Sequence, residues 1–204
     1  MRLTIVRHGQ TIENNNGITQ GQTHGTLSEI GHKQIKKVAQ HLMNERYDFA
    51  YSSDLGRAIN TAKEILTYHP KTKLKYDIRL REWSRGIFDG KHHTLAQEHV
   101  NCLGVDYEEY RWENGENVED VKKRVIEFLK DMISKHKNDK VLLVGHGGPI
   151  TLMLRYLLNL SRKEKPNIKP CNASTTVLNI TWGGKGEIKK GEITIEKFNC
   201  VDYL

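Results

Sequence analysis

Cysteine is scarce in this chain: Cys102, Cys171 and Cys200 stand far apart and are odd in number. They match no disulfide framework and no paired zinc spacing, so reduced thiols in a cytoplasmic protein are expected. Long apolar runs are lacking too. The longest, Val141 to Leu160, is broken by His146, Gly147, Gly148, Pro149 and Arg155, groups that bilayer hydrocarbon tolerates poorly, so a strand and a buried helix are expected there and no membrane partner. The stretch between Arg2 and Arg7 is too short for a secretory signal core. Internal repeats and low-complexity tails are also missing.

Positive charge is in excess but not concentrated. Lys and Arg number 32 against 25 Asp and Glu, leaving +7. Such a balance suits nucleic acid, an anionic substrate or a solvated surface. The basic clusters Lys36-Lys37, Lys122-Lys123-Arg124, Arg162-Lys163 and Lys189-Lys190 are scattered, and aromatics make up only 7%. A solvated surface is the simpler reading, and nucleic acid is not expected as a partner.

What is present suffices for a core. With 204 residues and 37% hydrophobic content, the chain fits a single domain, residues 1–204, carrying an inserted lid at about 84–117. Leu3 to Val6 is a short strand ending in Arg7-His8-Gly9. From Ser28, a good N-cap, apolar residues recur at helical spacing to about Arg46. Phe49 to Ser52 reads as the next strand, and Asp54 as the cap of a helix running toward Pro70. Residues 74–81 read as another strand and 84–117 as irregular. Val118 opens a periodic helix ending near His136, Val141 to Val144 is a fully apolar strand, and Pro149 suits the first position of a helix reaching Leu158. Ser174 to Thr181 and Glu192 to Phe198 alternate like strands around a Gly183-Gly184-Lys185-Gly186 hairpin signal. Strands alternating with helices predict a three-layer α/β/α domain with a mostly parallel sheet.

In such sheets ligands gather beyond the carboxyl ends of the strands. Three strand ends carry suitable groups: Arg7-His8-Gly9, Ser52-Ser53-Asp54 with Arg57, and Gly145-His146-Gly147-Gly148. If these strands are parallel neighbours, two histidines and two arginines converge. Arginine forks match phosphate oxygens, and backbone N–H groups at the helix start after His146 add donors, with Gly147 permitting close approach. A histidine among cations stays neutral, and neutral imidazole is a nucleophile. The leaving oxygen of a phosphate ester needs a proton, best supplied by a partly buried carboxylic acid. Glu82 is placed for that role, unless it is a surface residue paired with Arg79 or Arg81. His92, His93, His99 and Cys102 fit no zinc spacing.

These motifs resemble the histidine phosphatase superfamily, the group that includes cofactor-dependent phosphoglycerate mutases. The likeness runs nearly end to end, through Arg7-His8-Gly9-Gln10-Thr11 with Asn14, Gly17 to Gly21, Leu27-Ser28-Glu29-Ile30-Gly31, Ser53 to Ala62, Leu80-Arg81-Glu82, Gly115-Glu116 and Val144 to Gly148. The resemblance implies that His8 is phosphorylated during turnover, that Glu82 donates the proton, and that Arg7, Arg57 and His146 form the phosphate pocket, assisted by Asn14, Gln20 and the Gly147 backbone. It implies no metal and no cofactor.

The sequence departs from that pattern at the rim. Gln10 replaces a common Glu, and His24 and Thr26 stand where Asp and Pro are frequent. The loop after the acid reads Trp83-Ser84-Arg85-Gly86 where mutases have Arg-His-Tyr-Gly, His93 stands where they carry a lysine, and their Arg-Arg pair is missing from 100–117. Those groups hold a bisphosphorylated intermediate, so the resemblance points to the phosphatase branch. The expectation is a phosphomonoesterase of small anionic metabolites, monomer or homodimer, with Arg85, His92, His93 and Trp112 lining the substrate side. A mutase and a non-catalytic phosphate-recognising module are the competing readings.

Overall fold

A computed structural model describes residues 1–161, 168–181 and 193–204. The apolar runs form strands β1 (Arg2–Arg7), β2 (Phe49–Ser52), β3 (Leu74–Tyr76), β4 (Lys140–Gly145), β5 (Thr175–Ile180) and β6 (Ile193–Cys200). They make one sheet in the order β3-β2-β4-β1-β5-β6. The first four in that order run parallel, and β5 and β6 join antiparallel. Leu3 to Val6 and Val141 to Val144 are buried throughout, as parallel strands covered on both faces must be.

Helices α1 (Ile12–Asn15), α2 (Glu29–Leu42), α3 (Gly56–Leu66), α4 (His93–Leu103), α5 (Val118–Lys135) and α6 (Gly147–Leu157) complete the chain order. Successive strand residues point to opposite faces, and the core divides accordingly. Val6, Ala50, Leu142 and Val144 pack with the apolar stripes of α2 and α3. Leu3, Ile5, Val141 and Leu143 pack with those of α5 and α6. The result is the expected α/β/α arrangement. In α5 the stripe Val121, Val125, Phe128, Leu129, Met132 and Ile133 is buried, and each such side chain contributes roughly 1.5–3 kcal/mol. That exceeds any intrinsic helix preference, and the Asn117/Asp120 capping box fixes where the helix begins.

Several expectations need correction. Asp54 does not cap α3. It forms a fork with Arg81, and Leu55 occupies the cap position without a side-chain bond. The strand expected over 74–81 stops at Tyr76, and Ile78–Leu80 is a 3₁₀ turn whose start is capped by Asp77. Pro149 lies in the third position of α6, because the helix begins directly after His146. Segment 84–117 is not irregular: it contains α4, closed by Gly104 at φ 64°, and a 3₁₀ turn at Gly86–Phe88. Its Ala96, Val100 and Trp112 are buried in the same core as α5 and α6. The turn expected at Gly183 to Gly186 lies outside the described residues, although β5 and β6 pair antiparallel as a hairpin would. No helix among the described residues is long and apolar enough to cross a membrane.

Candidate active site

β1 and β4 are neighbours with Arg7 opposite Gly145, so the residues that follow, His8 and His146, emerge side by side. Their ring centroids are 5.1 Å apart. His8 is buried and held from three sides. Its N–H donates to the Gly145 carbonyl at 3.0 Å, and its own carbonyl accepts from the Ala173 N–H and from Asn172 Nδ2. Its Nδ1 lies 2.8 Å from the Gly9 carbonyl. A carbonyl only accepts, so Nδ1 carries the proton and Nε2 keeps its lone pair. Gly9 is required here because a Cβ would come 2.6 Å from Ile35 Cγ2 and 2.9 Å from the Gly31 carbonyl. Helix α2 packs directly beneath the loop that carries His8: a Cβ on Gly31 would meet the Gln10 carbonyl at 1.9 Å.

The cations come from separate elements. Arg7, at the end of β1, donates Nη1 to the Pro170 carbonyl at 2.7 Å. Arg57, in the first turn of α3, is only 1% exposed and donates Nη2 to the Gly21 carbonyl at 2.9 Å. The Nε atoms of both arginines are buried without a hydrogen-bond partner among the described residues, as are both ring nitrogens of His146. Unsatisfied buried polar groups are rare in a native core, and two guanidinium donors together with the one N–H of a neutral imidazole can receive an anion.

The electrostatics follow. Burial, then the positive charges of Arg57 and Arg7, hold the His8 imidazole well below its usual range, and the same forces act on His146. Burial also draws the Arg57 guanidinium down to about 10, opposed by Glu82. His8 is thus a neutral imidazole between two cations.

Glu82 follows the 3₁₀ turn at Ile78–Leu80 and faces the start of α6. Its carboxylate accepts from the Trp83 N–H at 2.9 Å and from the Gly148 N–H at 3.4 Å. The surface-pair alternative does not hold, since Arg79 pairs with Asp77 and Asp131, and Arg81 with Asp54. Glu82 packs so close to the start of α6 that, with its carboxylate in this position, Gly148 must lack a side chain. A Cβ on Gly148 would stand 2.5 Å from Glu82 Oε1, whereas one on Gly147 would meet Arg7 at an ordinary 3.5 Å.

Asn14 lies in α1 and Gln20 in the loop that follows it. Asn14 Oδ1 accepts from Asn172 Nδ2, which links it to the His8 carbonyl. Gln20 is buried beside Arg57, both pressed under Gly25, whose Cβ would come 2.4 Å from Gln20 Oε1 and 3.3 Å from Arg57 Cδ. Arg85 lines the same cavity as Arg7 and Glu82, of about 650 Å³, with its guanidinium 3.7 Å over the Trp83 ring. His93 does not line it. It is exposed, bonded through Nδ1 to the Gly17 carbonyl, and lines a separate hollow with Thr94 and Glu98. His92 caps α4 and packs on His93. Trp112 is a core residue against Phe88, Tyr107 and Tyr110.

Sequence reasoning missed the support beneath Glu82. Arg124 of α5 donates to the carbonyls of Arg79, Arg81 and Glu82 at 2.8, 2.6 and 3.1 Å, and forks onto Glu116. Glu116 in turn accepts from the Ser84 N–H. Nothing in the local sequence marks Arg124, which sits in a basic run that reads as solvated surface. Asn172 was missed as well, because no pattern around it sets it apart from an ordinary loop residue, and Ala173 beside it adopts φ 55°, a left-handed backbone rare for a residue with a Cβ.

The sequence profile of the histidine phosphatase superfamily (branch 1) matches residues 3–193. Phosphoserine phosphatase 1 of Hydrogenobacter thermophilus is 31% identical over 187 residues, covering 88% of this chain and 87% of its own length. The mycobacterial glucosyl-3-phosphoglycerate phosphatase superposes with a TM-score of 0.83 at 28% identity, covering 98% of this chain and 99% of that one. Phosphoglycerate mutase from Bacillus anthracis gives 0.78 at 28% identity, covering 100% and 94%.

Proposed function

The chain belongs to the histidine phosphatase superfamily, and from that premise we propose that it is a cytoplasmic phosphomonoesterase acting on a small anionic metabolite. The observation that carries this reading is the His8 imidazole, fixed in one tautomer by the Gly9 carbonyl and buried between Arg7 and Arg57. Its Nε2 lone pair attacks phosphorus while the bond to the ester oxygen breaks. Glu82 delivers its proton to that oxygen as the electron pair departs, and the alcohol leaves. The glutamate, now ionised, takes a proton from water, whose oxygen attacks the phosphohistidine and restores His8 with release of phosphate. Arg7, Arg57, His146 and the N–H groups opening α6 hold the phosphoryl oxygens, with Asn14 and Gln20 assisting. No step calls for a metal.

His8→Ala tests the nucleophile. It should abolish phosphate release from p-nitrophenyl phosphate and remove the acid-labile phosphoenzyme seen by intact mass in the wild type. Substantial residual turnover would remove His8 from the role. Activity should survive EDTA, and loss on chelation with recovery on adding a divalent ion overturns the metal-free route.

The likeness to a mutase structure supports a second reading, in which the phosphoryl group returns to another hydroxyl. Given a monophosphoglycerate and catalytic bisphosphoglycerate, that enzyme would form the isomer faster than free phosphate. Trp83, Ser84 and Arg85 in place of the mutase loop favour hydrolysis.

A further inference from the structure

The cavity that opens from Arg7 and Glu82 continues along one face of α6, where Gly147, Gly148, Thr151, Leu152 and Arg155 recur at helical spacing. Among the described residues lining its outer part, three cations, Arg85, Arg155 and Lys169, face one carboxylate, Glu108. Arg85 is committed to the wall: its Nε donates to Tyr107 Oη and its Nη1 to the Trp83 carbonyl. Lys169 is exposed at the rim. Arg155 is different. Its side chain is 21% exposed, its Nε is buried without a hydrogen-bond partner among the described residues, and its Nη1 makes a long ion pair with Glu108 at 4.0 Å, beyond hydrogen-bond reach and open to exchange for a ligand anion.

We propose that Arg155, with Lys169 at the rim, forms a second anion subsite, so that the preferred substrate is a two-ended anion with a carboxylate or second phosphate remote from the phosphate that is cleaved. This inference rests on the phosphomonoesterase reading above. The helix itself sets the spacing. Arg155 lies eight positions beyond Gly147, so their Cα atoms are about 12 Å apart along the axis. The side chain leans back toward the helix start, which leaves on the order of 7–10 Å between the two anions. A three-carbon phosphocarboxylate spans only about 5 Å and does not reach. A chain of about six atoms between the charged ends does. The apolar lining between the two ends, Trp83, Leu152 and Ile168, suits the carbon body of such a molecule.

Matched substrates test this in the wild-type protein. Hexyl phosphate is compared with the same ester ending in a carboxylate, and propyl phosphate with its three-carbon carboxylate. The terminal carboxylate should raise kcat/KM on the order of tenfold in the long pair, mainly through KM, and have little effect in the short pair. Arg155→Met should erase the long-pair ratio and Arg155→Lys should retain part of it. Equal kcat/KM within the long pair, or a ratio that survives in Arg155→Met, overturns the subsite while leaving the phosphatase reading intact. Failure of the wild type to hydrolyse any of the four esters instead overturns the phosphatase reading on which the subsite rests.

Discussion

Replacing Gly148 by Ala should separate Glu82, the proposed proton donor, from His8, the proposed nucleophile. The new Cβ would stand 2.5 Å from Glu82 Oε1, and ordinary contact begins near 3.4 Å, so the carboxylate must retreat by about 1 Å. Because the clashing atom is the tip of a flexible side chain, the fold accommodates the change cheaply. Alanine in the first turn of α6 recovers up to about 1 kcal/mol of helix preference, offsetting a weakened contact to the Trp83 N–H. The melting temperature should therefore move by only a few degrees. A displacement of that size at a group that must meet the leaving oxygen costs about 100-fold. The loss should depend on the leaving group. Glycerol 3-phosphate, whose alkoxide needs the proton, should lose about 100-fold in kcat, whereas p-nitrophenyl phosphate, which expels a stable phenolate, should lose much less. Steady-state kinetics on both esters, with circular dichroism melts of the two proteins, make the measurement. Equal losses on the two esters, or none on either, would refute Glu82 as the proton donor.

Other outcomes follow from the same geometry. His8 and His146 are held below their ordinary range in the native state, so the unfolded chain binds protons that the native one does not as pH falls below about 6.5. Stability is thus fully present above that pH and declines below it, by up to about 1.4 kcal/mol per pH unit for each histidine. Urea midpoints taken from pH 7.5 to 5.5 should show the slope, and His8→Ala should reduce it. Arg57→Gln removes one of the charges that keep His8 neutral, so the acid limb of kcat/KM should move to higher pH. An unmoved limb assigns that titration to another group. Arg124→Met strands the carbonyls of Arg79, Arg81 and Glu82 and leaves Glu116 without its partner. It should cost about 3–5 kcal/mol in urea unfolding and slow alkyl ester hydrolysis more than p-nitrophenyl phosphate hydrolysis.

The parts of the fold legible in the sequence are those where a short-range pattern decides the outcome. Leu3 to Val6 and Val141 to Val144 are buried on both faces, and an unbroken apolar run states that directly. Helices α2 and α5 were legible for the same kind of reason, each with a strong apolar stripe, and α2 also with Ser28 as a recognisable cap. Helix α4 was not, because it buries only Ala96 and Val100 and its histidines and Asn101 blur the period. Asp54 looked like a cap because local propensity favours it, but a long-range partner, Arg81, claimed its oxygens. The convergence of His8, Arg57, Glu82 and His146 could be inferred from polar residues at strand ends. His93 and Trp112 could not be placed that way. Whether a side chain within 84–117 turns to the core, the rim or another hollow depends on packing between segments distant in sequence.

The pairing of β1 with β4 fixes more than proximity. Side chains alternate along a strand, so slipping β1 by one residue would carry Arg7 and every other β1 side chain to the opposite layer, and slipping it by two would move the whole set by about 6.6 Å. The spacing of the two imidazoles is therefore quantised and cannot drift by small steps. Arg85, Arg155 and Lys169 lie on walls with no such constraint, where one substitution changes reach or charge without touching the ladder. On the phosphatase reading proposed above, a chain built this way can exchange one substrate for another through gradual changes at its rim, while its bond-breaking centre either stays as it is or is lost in a single step.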